Sequence, residues 1–441
     1  MRKRIAGFTA ICLSVGMILT GCGTTDISSY VHGNGVGSTY VEDGKLTEEE
    51  ILRLMPWTAY EKTENKNKDM ENIYAWDVVN DIRIGWCLGN TLDAYSQYLS
   101  VNDATGKFET AWGNPVTTRE MIDDVIAAGF NGIRIPVTWS GHLDSDYNIS
   151  ETWMSRVQEV VDYAYSRDVY VILNLHHETW NYTSYENVDE AIYAEKKIWS
   201  QIAERFKDYD EHLIFEAQNE PRKIGTSVEW TGGDKEGREV VNMINEAFVE
   251  TIRNSGGSNP YRELLLPTYA ASSEAKAIKA WEAPDDDRII VSIHAYLPYH
   301  FALDQTDKAK DRWDGNSWDI DVLMKNIQRE FLDKGIPVII GEFGAVRRIA
   351  DEETRLEWVR YYLEAATEKG IPCFWWDNNL MYSGGENFGL YERNSRTWDS
   401  PELIQRMMEV TAPRIGDDAY IFTVEEYELM LEEREKEEEN E

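Results

Sequence analysis

Eight short apolar runs, rich in Val and Ile, recur between residues 70 and 414, each followed by polar or aromatic side chains and separated from the next by a longer, mostly amphipathic segment. The runs occupy residues 82–90, 132–139, 169–177, 212–220, 263–269, 288–296, 337–344 and 372–379. Between them, apolar residues return at helical spacing over 118–128, 151–166, 188–206, 238–254, 318–333 and 352–368, with Gly129 and Gly370 closing two of the segments. Strict alternation of this kind predicts parallel strands joined by right-handed crossovers. Eight units predict a closed (β/α)8 barrel rather than an open doubly wound sheet, because no Gly-rich phosphate loop follows the first run. Such a barrel carries its chemistry where the strands end. Polar and aromatic residues gather there: Asn90, Arg134, His176, His177, Asn219, Glu220, His294, Tyr296, Glu342, Trp376 and Asp377.

The charge excludes several partners. Eighty Asp and Glu against 44 Lys and Arg give a net charge of −36, which leaves no cationic face for nucleic acid or for an anionic lipid surface. A 42% hydrophobic content with 16 Trp and 24 Tyr nevertheless calls for a large folded core. The chain begins with Arg2-Lys3-Arg4, an apolar stretch over 5–19, and Thr20-Gly21-Cys22, the order of an export signal and too short to favour a spanning helix. Leu19-Thr20-Gly21-Cys22 resembles the lipobox of bacterial lipoproteins. That resemblance implies removal of residues 1–21 and lipidation of Cys22, whose two acyl chains would anchor the protein outside the cytoplasmic membrane. Residues 22–69 read as a polar stalk, 70–414 as the barrel, and 415–441 as an acidic tail that frays or forms a solvated helix.

Two carboxylates stand out. Glu220, in Asn219-Glu220-Pro221, and Glu342, in Gly341-Glu342-Phe343-Gly344, each follow a buried strand, where an ionised group is costly unless it is partnered or used. At the ends of the fourth and seventh strands they face each other across one barrel mouth. That placement suits glycoside hydrolysis by two carboxylates, one protonating the leaving oxygen and the other attacking the sugar.

With Arg134, His176-His177, His294-x-Tyr296 and Trp376 added, residues 70–412 resemble glycoside hydrolase family 5 of clan A. Gly85-Trp86-Cys87-Leu88-Gly89-Asn90-Thr91-Leu92-Asp93-Ala94, Trp112-Gly113-Asn114-Pro115 and Ile135-Pro136-Val137-Thr138-Trp139 are similar to subfamily 4, mostly endo-β-1,4-glucanases, xyloglucanases and lichenases. Cys87 stands where that motif commonly has Asn. The resemblance implies a retaining mechanism with Glu220 as acid/base and Glu342 as nucleophile, and with Asn219 on the sugar 2-hydroxyl. It also implies that His176, His177 and His294 hold the carboxylates and the sugar, and that Asn90 and Asp93 contact sugars on the non-reducing side. Physically, Glu342 must stay ionised, for which Arg134 and Tyr296 are the available donors, while Glu220 must hold a proton, for which a neighbouring carboxylate raises its pKa.

Trp376 is expected as a platform for the apolar face of a sugar and Trp375, on the opposite face, as packing. For Trp112, Trp139 and Trp180, cleft lining and packing both stay open. The strand-end pair His176-His177 lacks the helical HExxH spacing of a metal site, so no metal and no organic cofactor are expected. Cys87 and Cys373 fall on neighbouring strands of the closed barrel, where a disulfide is conceivable, but two buried thiols are the expected state. The leading reading is therefore a surface-tethered, monomeric endo-β-1,4-glucanase acting on a polysaccharide. A β-mannanase of the same clan and a non-catalytic glycan-binding lipoprotein are its rivals.

Overall fold

A computed structural model describes residues 70–348, 352–382, 385–416 and 419–438; the signal at 1–21, Cys22 and the stalk lie outside the described residues. Eight parallel strands close in chain order: β1 (Gly85–Leu88), β2 (Gly132–Ile135), β3 (Tyr170–Asn174), β4 (Leu213–Glu216), β5 (Leu264–Ser272), β6 (Ile289–His294), β7 (Val338–Phe343) and β8 (Cys373–Asp377), which pairs back onto β1. The expected helices form as Arg119–Ala127, Glu151–Tyr165, Val188–Arg205, Lys235–Arg253, Trp318–Glu330 and Glu352–Thr367. The strands are shorter than most of the apolar runs because the last residues of those runs leave the sheet and line the mouth.

Alternation across each strand sorts the side chains into two cores. Trp86, Ile133, Leu173, Phe215 and Trp375 point outward and are buried with the surrounding helices. Cys87, Ile172, Ile214, Leu265, Ile290, Ile339, Phe374 and Trp376 fill the barrel itself. Phe374 sits so close to the start of β1 that a Cβ on Gly85 would lie 2.0 Å from its ring, which is why that strand begins with glycine. The short helix Ala75–Asp81 packs Ala75, Val78 and Val79 against this inner core and closes the N-terminal end. The barrel is thus open at one end only, where the polar residues are.

Cys87 and Cys373 are free and buried, and they face opposite sides of the sheet. Cys87 aligns with Trp376 and points inward, whereas Cys373 belongs to the outer core. The acidic C-terminal segment departs from the expected solvated tail. Its helix Val424–Glu438 docks on the barrel: Trp398 donates its N–H to the buried Tyr427 hydroxyl (2.6 Å), and Arg434 pairs with Asp124 (2.8 Å). Tyr427, with Met430 and Leu431 packed beside it, seats one helical face inside a Glu-rich run. No helix among the described residues is long and apolar enough to cross a membrane.

Candidate active site

Arg134, on the inner face of β2, is wholly buried and donates in three directions. Its Nε reaches Glu216 Oε2 at 2.8 Å, one terminal nitrogen reaches Glu342 Oε1 at 2.7 Å, and the other reaches Asn219 Oδ1 at 2.8 Å. Burial works against the guanidinium charge, but Glu216 and Glu342 outweigh it and hold the Arg134 pKa well above its ordinary value.

Glu342 faces the barrel axis only because β7 is irregular. Val338 and Ile340 face the helices and Ile339 the axis, so plain alternation would turn Glu342 outward. Between Ile340 and Glu342 the strand gains a residue against β6, and by Phe343 it has gained one against β8, which re-aims the carboxylate inward. There Tyr296 donates its hydroxyl to Glu342 Oε2 (2.8 Å). Burial and the Glu342 charge push the Tyr296 phenol well above its usual value, so it remains a donor.

Glu220 lies four residues beyond Glu216 on the loop after β4. That loop is clamped from both sides: Asn219 donates its N–H to Leu175 O (2.8 Å), and Ala270 donates its N–H to Pro221 O (3.0 Å). Ala270 and Ala271 adopt left-handed φ values of 55° and 45°, a strained stretch at the end of β5 that makes this second clamp. Glu220 Oε1 lies 2.9 Å from His294 Nδ1, and an Arg222 terminal nitrogen lies 3.6 Å from its other oxygen. Burial raises the Glu220 pKa, but His294 and Arg222 prevail and hold it below the ordinary carboxylate value. This corrects the expectation that the carboxylate neighbour raises the Glu220 pKa; the groups beside it hold that value down. An oxygen of Glu220 lies within 4.8 Å of an oxygen of Glu342.

The remaining expected residues surround this pair. His176 lies parallel to Trp376 at 5.6 Å and its Nδ1 is 3.1 Å from Asn174 Nδ2; His177 sits at the rim between Tyr95 (5.7 Å) and Trp112 (5.6 Å). Burial pushes the His176 imidazole well down and that of His177 to about 4, leaving both neutral. Trp376 crosses β1 so tightly that a Cβ on Gly89 would approach its indole to 2.8 Å. Asn90 occupies a left-handed turn (φ 58°) fixed by Asp93, whose carboxylate accepts the N–H groups of Asn90 (3.0 Å) and Thr91 (2.6 Å). Asp93 is fully buried, with its pKa pushed up to about 7 by that burial, so the expectation that it meets sugar is corrected: it holds Asn90 in place. Asp93, His176 and His177 offer atoms within 4.8 Å of one another, as a metal site would, but both Asp93 oxygens are already engaged.

The three open tryptophans divide. Trp139 donates its indole N–H to Asn174 O (2.9 Å) and Trp180 its indole N–H to Glu178 (2.9 Å), and both are buried packing, while Trp112 stays half-buried at the rim. Trp375 packs outward, donating its indole N–H to Phe388 O (2.9 Å).

Three polar residues below the mouth escaped the sequence reading: Glu216, Asn174 and Ser292. Their signal was positional, since Glu216 stands two residues after inward-facing Ile214, and Ser292 two before His294.

Comparison with known proteins agrees with this geometry. The family model described as Cellulase (glycosyl hydrolase family 5) matches residues 92–381. Endoglucanase A of Clostridium longisporum is 47% identical over 329 residues, covering 74% of this chain; the chain spans 63% of that relative's length. Among solved structures, a broad-specificity GH5-4 endoglucanase from Ruminococcus champanellensis with bound cellotriose superposes with a TM-score of 0.74 at 43% identity, covering 77% of this chain and all of that one. A xyloglucan-specific endo-β-1,4-glucanase from a metagenomic library, also with cellotriose, gives 0.72 at 41% identity, covering 76% and 98%.

Proposed function

Because the chain belongs to glycosyl hydrolase family 5, the cellulase family, we propose that it is a retaining endo-β-1,4-glucanase in which Glu342 attacks the sugar and Glu220 serves as acid and then base. The separation of the two carboxylates carries this reading. One oxygen of each lies within 4.8 Å of the other, which leaves less room than the roughly 6.5–9.5 Å between carboxyl groups that an inverting enzyme keeps for its water. Glu342 accepts from Arg134 and Tyr296, which suits a nucleophile, and Glu220 lies within hydrogen-bond distance of His294, which suits a group that must give up a proton and take it back. Asn219, whose side chain accepts from Arg134, takes the 2-hydroxyl contact in this reading. Trp376 supplies the platform, with Asn90, His176 and His177 along the same wall.

Relatives that act on xyloglucan and on several β-glucans make mixed-linkage glucan, xyloglucan and carboxymethylcellulose the substrates to try, with mannan alongside. Release of reducing ends should be lost in both Glu220→Ala and Glu342→Ala. Azide should restore turnover of an activated aryl cellobioside in both, giving the β-azide with the first variant and the α-azide with the second. Full activity in Glu342→Ala would remove the mechanism.

The lipobox-like Cys22 supports export and tethering at the cell surface. Cys22→Ala should then release the protein into the medium, and retention of that variant in the membrane fraction would exclude the lipid anchor.

A further inference from the structure

We propose that Glu216 is the positioning residue of this site: its buried negative charge divides Arg134 between two carboxylates and keeps one proton on the Glu220–His294 pair. This rests on the double-displacement reading above.

Glu216 is fully buried inside the barrel, beneath the pair that meets the substrate, so any influence it has on the reaction passes through other residues. Its contacts are complete. Oε2 accepts from Arg134 Nε (2.8 Å) and Asn174 Nδ2 (3.1 Å), and Oε1 accepts from the Ser292 hydroxyl (2.7 Å). Three donors hold one rotamer, and that rotamer fixes the plane of the guanidinium. Because the fork of Arg134 is rigid, fixing its Nε edge also fixes the two nitrogens that reach Glu342 and Asn219.

Charge gives the second half of the argument. Glu216 and Glu342 share one fully buried cation, Arg134, while Glu220 faces Arg222 at the rim, so three carboxylates meet two cations. His294 stands among all three carboxylates: Nδ1 is 2.9 Å from Glu220 and 3.6 Å from Glu342, and Nε2 is 3.9 Å from Glu216 with no hydrogen-bond partner among the described residues. The other titratable groups facing this cluster do not relieve it. Burial keeps the Cys87 thiol and Tyr296 phenol protonated and the His176 and His177 rings neutral, while Glu386, over the mouth, has its pKa raised by burial and by Glu220 and Glu342. A proton on the Glu220–His294 pair therefore offsets the excess negative charge that Glu216 creates, and half of Arg134 is withheld from the nucleophile.

Glu216→Gln tests this directly, because the amide keeps the shape, its oxygen can accept from Arg134, and its nitrogen can donate to the Ser292 oxygen. On an aryl β-cellobioside with a poor leaving group, kcat should fall about tenfold or more with KM nearly unchanged, and the alkaline limb of kcat/KM should move down by about one pH unit. A purely structural Glu216 would lower the folded fraction and leave the pH limbs where they were; that result overturns the inference. Should Glu216→Gln not fold, Ser292→Ala removes one of the donors that hold and screen the Glu216 carboxylate. The alkaline limb of kcat/KM should then move up, and an unmoved limb overturns the inference equally. Glu342→Ala in the same assay separates the two claims: activity there defeats both, whereas a dead Glu342→Ala beside an unshifted Glu216→Gln defeats only this one.

Discussion

Glu342 and Glu220 lie within 4.8 Å of each other, yet they are held by different kinds of neighbour. Glu342 meets a permanently charged guanidinium and a phenol that stays protonated, both inside the barrel. Glu220 meets an imidazole and an arginine nearer the rim, which also stacks on Trp230 at 4.2 Å. In the proposed mechanism these settings would give two chemically identical side chains separate duties.

Breaking the Glu342 side should have the largest effect. Arg134→Met leaves Glu216 and Glu342 as buried carboxylates without their cation, and turnover of an aryl cellobioside should drop roughly 10³-fold or more. The same change should lower stability by about 3–5 kcal/mol, read in a urea titration. Tyr296→Phe removes one donor and leaves the cation, so kcat should fall about 10–100-fold while thermal stability changes little. The smallest effect belongs to the Glu220 side. Arg222 is one of the groups that holds Glu220 below its ordinary pKa, so Arg222→Ala should let Glu220 keep its proton to higher pH. The alkaline limb of kcat/KM should therefore rise, by about half a pH unit for a rim charge. A fall of that limb would mean that Arg222 supports the acid form and that the two sides are not distinct.

How much of this was legible depended on range. The strands and most of the helices follow from local periodicity, and Glu220 and Glu342 were visible because a carboxylate after an apolar run is conspicuous. The partnership of Arg134 with Glu342 could be anticipated from strand order. That Glu342 points inward could not, since the irregularity in β7 is set by pairing with β6 and β8, far away in sequence. Glu216 was hidden by its company in Leu213-Ile214-Phe215-Glu216, where it reads as the end of an apolar strand rather than the base of a site. Asp93 was misread because its own backbone, two and three residues upstream, consumes the carboxylate that a sugar would need. The docked C-terminal helix was concealed by composition: Tyr427 and Arg434 are two residues in a run dominated by Glu, and their partners Trp398 and Asp124 lie elsewhere in the chain.

The helix Ala75–Asp81 that floors the barrel also determines how the enzyme can be mounted. Met70 and Ile73 offer their carbonyls to Arg288, at the lower end of β6, so the chain enters the body from beneath. An attachment made through earlier residues would grip the underside and aim the open mouth outward. On the proposed tether, a long polymer would then reach that mouth and be cut in mid-chain without threading past the anchoring surface.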